Sequence, residues 1–217
     1  MLTLPPLSLY IHIPWCIKKC PYCDFNSHKA NGALPEQEYV AALIADMQSD
    51  LHLAQGRKLT TIFFGGGTPS LFSGAAIGTI LNAAERIFGF HSNIEITLEA
   101  NPGAVDEKKF VDFSLAGVNR LSIGVQSFNN THLSRLGRIH GDKEALNAIR
   151  SAQHAGFDNI NVDLMHGLPE QTIEQAESDI SIAVNSGAVH ISWYQLTIEP
   201  NTEFFSRPPP LPVDDRL

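Results

Sequence analysis

The regular alternation of short β-rich apolar runs with helical patterns is the feature that most limits how this 217-residue chain can fold. Six runs, at 7–13, 60–64, 94–98, 120–125, 159–164 and 190–196, are rich in Val, Ile, Leu and Phe and read as strands. Helical patterns fill the intervals at 35–54, 75–88, 106–116, 130–155 and 173–186. In the first of these, Tyr39, Leu43, Met47 and Leu51 are expected to share one buried face. Helices between successive strands imply parallel pairing through right-handed crossovers. The chain is therefore expected to be α/β, with six units forming an open, partial (β/α)6 barrel of parallel strands. A doubly wound open sheet is the alternative, because strand order cannot be read from periodicity.

Composition narrows the partners. The chain is 43% hydrophobic and 18% charged, which suits a single globular domain with a full core. Its net charge is −8 and it has no basic run, so nucleic acid is not an expected partner. No apolar stretch approaches the length of a membrane span, and Met1-Leu2-Thr3-Leu4-Pro5-Pro6 is unlike a signal peptide. A reducing, cytoplasmic location is the expectation. Residues 1–206 are expected to form the core domain. The proline-rich segment 207–217, beginning Arg207-Pro208-Pro209-Pro210, reads as a linker to a C-terminal domain outside this chain.

The chain's three cysteines, Cys16, Cys20 and Cys23, fall within eight residues in a C-x3-C-x2-C pattern. An odd count in a chain of this size does not suit a disulfide scaffold. A zinc site would need a fourth ligand, with His12 or His28 to complete it. Three thiolates suit a [4Fe–4S] cluster, leaving the fourth iron open to bind a small molecule. The segment resembles the cluster loop of the radical S-adenosylmethionine (SAM) superfamily.

Polar motifs follow the predicted strands, on the rim where β/α barrels carry their sites. Gly65-Gly66-Gly67-Thr68-Pro69-Ser70 follows the second strand and exposes backbone for close ligand approach. It lacks the lysine of a phosphate loop. Glu99 ends the third strand, Gln126 the fourth and Asp163 the fifth. Singly these would be caps or turn residues, but three on one rim point to a polar ligand. Arg138 lies beyond Gln126 and could pair with a carboxylate.

Five segments together carry a more specific resemblance. They are Tyr10 to Cys16, Phe64 to Ser70, Leu98 to Pro102, Gly124 to Phe128, and Asp163-Leu164-Met165-His166-Gly167-Leu168-Pro169. In this order they resemble the oxygen-independent coproporphyrinogen III oxidase family, and within it most closely the HemW-type haem chaperones. The resemblance implies that Cys16, Cys20 and Cys23 hold the cluster. It implies SAM contacts from Tyr10, the Gly65, Gly66, Gly67 and Thr68 loop, Glu99, Gln126, Arg138 and Asp163, with Tyr22 packed near the adenine. True oxidases carry a fourth cysteine where this chain has Phe25, and an N-terminal extension ahead of the cluster loop. Those departures favour haem binding and transfer to an acceptor protein over porphyrinogen oxidation. An electron donor such as a flavodoxin or ferredoxin is implied. Haem is an expected ligand, and none of His12, His28, His140, His166 or His190 is assigned to it.

Overall fold

The computed structural model describes residues 3–212; the last part of the expected linker, 213–217, lies outside them. Strand β1 (Leu7–Ile13) leads into a loop bearing two short strands, β2 (Trp15–Cys16) and β3 (His28–Lys29), and then α1 (Glu36–Ala54). There follow β4 (Leu59–Gly66), α2 (Gly74–Phe88), β5 (Phe90–Ala100), α3 (Glu107–Ala116) and β6 (Arg120–Gln126). The chain continues through α4 (Asn130–Arg135), α5 (Asp142–His154), β7 (Ile160–His166), α6 (Ile173–Asn185), β8 (His190–Gln195) and α7 (Glu203–Ser206). Six of the strands form one parallel sheet in the order β1-β4-β5-β6-β7-β8. A doubly wound sheet reverses its strand order at a switch point. Strictly sequential order removes that alternative and gives the partial (β/α)6 barrel.

Two-residue periodicity sorts each strand into two faces. On β1, Leu9, Ile11 and Ile13 join the core beneath the helices, while Ser8, Tyr10 and His12 point the other way. On β6, Leu121, Ile123 and Val125 are fully buried against the helices, and Ser122 and Gly124 face inward. Phe64, Phe72, Phe110 and Phe113 are also fully buried on the helix side. Each such side chain contributes about 1.5–3 kcal/mol of burial free energy. The inner face is polar. Ser122 Oγ donates to Asp163 Oδ2 at 2.9 Å, Asn161 Nδ2 donates to Asp163 Oδ1 at 2.7 Å, and Ser192 Oγ donates to Asn161 Oδ1 at 3.0 Å. That row crosses β6, β7 and β8.

Two elements differ from expectation. On α1, Val40, Met47 and Ala54 are buried, whereas Leu51 is exposed. Steps of four residues drift about 40° around a helix, so Leu51 lies about 120° from Tyr39, while steps of seven return within about 20°. Strand β5 begins at Phe90 rather than at residue 94 because polar His91-Ser92-Asn93 hides the first half of its apolar signal.

The loop after β6 is tied to the helix layer by a buried carboxylate. Asp179 of α6 accepts from Ser127 Oγ at 2.6 Å and from the Phe128 N–H at 2.8 Å. Asp179→Ala leaves both donors without their buried acceptor and is expected to cost about 2–4 kcal/mol in a chemical denaturation experiment. Asp179→Asn, which retains one acceptor oxygen, should cost less.

Candidate functional site

The cysteine loop is seated by Trp15. Its indole meets Tyr39 of α1 edge-on at 4.7 Å and stacks on Phe72 at 5.8 Å. The β2–β3 ladder closes the loop, with the His28 N–H donating to Pro14 O at 2.7 Å and the Ala30 N–H to Cys16 O at 2.8 Å. The glycine loop after β4 hooks onto the same place, because the Gly67 N–H donates to Ile13 O at 2.8 Å. A Cβ on Gly67 would lie 2.6 Å from Trp15 O. Gly66 has φ +115°, a conformation that side chains disfavour, and a Cβ there would lie 2.7 Å from the His12 ring. Glycine at both positions is thus a condition for laying one loop against the other. Lys109 of α3, donating to Ser70 O at 2.7 Å, holds the far side of the glycine loop.

Cys16 is buried, Cys20 and Cys23 are half-buried, and all three thiols are free. They share a cavity of about 470 Å³ with the glycine loop and the inner ends of β5, β6, β7 and β8. Cys16, Cys20, Cys23, Tyr22, Gly66, Gly67, Thr68, Glu99, Gln126, Arg138 and Asp163 all lie on its wall. Tyr10 and Gly65 do not. Tyr10 is 57% exposed, stacks on Phe63 at 6.3 Å and pairs its hydroxyl with His12 Nδ1 at 2.9 Å. A Cβ on Gly65 would meet the Tyr10 ring at 2.9 Å, so these two residues pack on each other.

The polar residues are not all beyond the strand ends. Glu99 lies within β5 and Asp163 in the middle of β7, their side chains reaching the cavity from the inner face of the sheet. Gln126 ends β6 at φ +71°, after an irregular pairing between Gly124 and Gln126. Such a φ is strained for a residue with a side chain, and strain of this kind collects where a side chain must be aimed. Gln126 Oε1 accepts from Tyr194 Oη at 2.6 Å. Tyr194, Ser122 and Asn161 escaped the sequence reading, since hydroxyls and amides inside apolar strands carry no distinctive spacing.

Arg138 is held by the two loops. Its Nη2 donates to Gly124 O at 2.6 Å, and its Nη1 approaches Cys20 Sγ at 3.6 Å. Its Nε is buried and has no hydrogen-bond partner, while the residue itself lines the cavity. Tyr22 packs on Phe204 at 6.4 Å, and burial raises its phenol pKa. Burial, then the Asp163 carboxylate, push Glu99 up to about 7, against a hydrogen bond from the Gly66 backbone. Burial also raises Asp163, opposed by its bonds from Ser122 and Asn161.

The donor set fits a cluster better than a single ion. Among the described residues, no three His, Cys, Asp or Glu side chains converge as a mononuclear site requires. His12, the sequence's candidate fourth zinc ligand, has its Nε2 on Asn26 O at 2.7 Å and its Nδ1 on the Tyr10 hydroxyl. A cubane instead offers each thiolate its own iron. The neighbouring carboxyls, backbone amides and the Arg138 guanidinium form a polar wall suited to a zwitterionic nucleoside ligand.

Folding raises the Glu99 pKa, so the folded chain binds more protons than the unfolded one between the ordinary value of 4.5 and about 7. Stability of the cluster-free chain is therefore expected to fall as pH rises through that window. Glu99→Gln should lose that share of the pH dependence and gain about 1–3 kcal/mol at pH 8, as measured by urea unfolding from pH 4.5 to 8.

Comparison with known proteins agrees with this geometry. Residues 10–182 match the family model described as the Radical SAM superfamily. The chain is 56% identical over its whole length to the heme chaperone HemW of Escherichia coli strain K12 and covers 57% of that protein. It is 38% identical over 92% of its length to the mitochondrial radical S-adenosyl methionine domain-containing protein 1 of Bos taurus, covering 45% of it. The chain thus spans about half the length of these curated relatives. Among solved structures, coproporphyrinogen III oxidase (HemN) from Escherichia coli superposes with a TM-score of 0.84 at 28% identity, over 97% of this chain and 49% of that one. With its matched domain, its open parallel barrel and its cysteine loop facing a polar inner wall, the chain belongs to the radical SAM superfamily.

Proposed function

We propose that this chain is the cluster- and SAM-binding part of a haem chaperone, which binds haem and passes it to acceptor proteins. The observation that carries the reading is the 56% identity to the heme chaperone HemW along the full chain. Phe25 supports it, since the oxidases resembled by this sequence carry a cysteine there. In this reading Cys16, Cys20 and Cys23 hold three irons of a [4Fe–4S] cluster. The Gly66–Thr68 backbone, Glu99, Gln126 and Asp163 orient SAM, and Arg138 contributes its positive charge from the cavity wall. When bound, the cluster and SAM supply one-electron reductive chemistry at a sulfonium. The protein's own work is to hold the ligand, set its orientation and keep water from it. A flavodoxin- or ferredoxin-like electron donor and a reducing cytoplasmic location belong to the same proposal, supported by three free thiols. No helix among the described residues is long and apolar enough to cross a membrane.

A second reading, coproporphyrinogen III oxidation, draws on the structural likeness to HemN. One set of assays on the anaerobically reconstituted full-length protein separates the two. Cys16→Ala, Cys20→Ala and Cys23→Ala are each expected to abolish the [4Fe–4S] absorption and electron paramagnetic resonance signals. Haem titration should saturate, and coproporphyrinogen III should persist with SAM and reductant. Protoporphyrinogen IX formed at enzymatic rates would overturn the chaperone reading.

A further inference from the structure

The residues bracketing the cysteines carry a charge opposite to that of the rest of the molecule. Residues 16–29 hold three lysines, Lys18, Lys19 and Lys29, against one acidic residue, Asp24. The chain as a whole has 15 Lys and Arg against 23 Asp and Glu, so the other 203 residues hold 12 against 22. A segment of +2 thus sits on a body of −10. Lys18, Lys19 and Lys29 are all exposed. Two apolar side chains are exposed with them, Ile17 at 43% and Phe25 at 56%. Lys19 has an internal task, donating to Phe25 O at 3.1 Å and Ser27 O at 3.4 Å, and so holds the segment in one shape. The other two have no hydrogen-bond partner among the described residues.

We infer that this cysteine-loop surface, Ile17–Lys18–Lys19 with Phe25 and Lys29, is the docking face for an acidic one-electron donor protein. The inference rests on the proposed cluster function. A cluster held by Cys16, Cys20 and Cys23 must receive an electron from outside. The cavity interior is no route for a protein partner, because its volume is about 470 Å³ and it is the SAM site of the proposed function; Lys18, Lys19 and Phe25 line it but are also exposed, so a partner can meet them from outside. The cysteine loop beside it is the remaining short approach, since Cys20 and Cys23 are only half-buried. An apolar centre with a cationic rim is what a small, transient electron-transfer interface needs. Opposite charge steers the encounter and leaves dissociation fast. The acidic remainder of the surface repels the same partner and so favours this orientation. The step is a single electron passing from the reduced donor to the oxidised cluster, with no bond made or broken.

The test uses the cluster-reconstituted protein and reduced flavodoxin in anaerobic stopped flow, following loss of cluster absorbance. The Lys18→Glu/Lys29→Glu double variant leaves the Lys19 bonds in place. Its second-order rate with flavodoxin is expected to fall about ten-fold or more at low salt, with a flattened ionic-strength dependence. Phe25→Ser should slow the same reaction without changing the salt dependence. Reduction by photoreduced 5-deazariboflavin, a small neutral reductant, should be unchanged in both variants. Equal flavodoxin rates and equal salt dependence in wild type and double variant would overturn the docking face while leaving the cluster function standing. A wild-type chain that assembles no cluster reducible by either agent would overturn the proposed function, and this inference with it.

Discussion

Everything in this molecule depends on a sheet that does not close. Among the described residues, β1 and β8 are both edges, because six sequential parallel strands stop short of a full barrel. A closed eight-stranded barrel fills its interior with apolar layers. Here the inner face borders a cavity, and the strands line it with polar Thr97, Glu99, Ser122, Asn161, Asp163 and Tyr194. The helix side has to supply the stabilising apolar burial, and the fully buried phenylalanines and isoleucines lie there.

From that division the site follows. Most of these inner side chains are held by hydrogen bonds within and across the strands, so the wall is a hydrogen-bonded lattice. Asp163 is the clearest case, with Ser122 and Asn161 fixing its carboxylate from β6 and from its own strand. Such a lattice orders the polar groups before any ligand arrives, which reduces the cost of ordering them on binding. The strain at Gln126 and the raised pKa of Glu99 are local costs of gathering acceptors on one wall.

The cysteine loop belongs to this wall only because glycine allows it. The Gly67 backbone lies against Pro14 and Trp15, and Trp15 is wedged beside Tyr39 and Phe72. Thiols and acceptors, separated by many residues in sequence, therefore share one cavity. Arg138 links them, touching Cys20 Sγ on one side and Gly124 O on the other.

Much of this was legible in one dimension. Strand and helix periodicity, the C-x3-C-x2-C spacing and the glycine triplet are local patterns, so they could be read without contacts, and the family resemblance rested on them. Strand order was not readable, because pairing is a through-space choice that parallel crossovers leave open. Leu51 faces solvent because four-residue steps drift around a long helix, so an apolar residue at that spacing leaves the buried face. Gly65 opens the glycine triplet and Tyr10 lies on β1 beside it, yet the two pack on each other outside the cavity wall. The direction of Arg138 was likewise decided in three dimensions. Its guanidinium goes to the acceptors the folded loops present, a carbonyl and a thiol that no spacing in the sequence announces. Sequence alone determined which chemical groups the chain could offer; tertiary structure decided which of them meet, because meeting depends on packing between elements far apart in the chain.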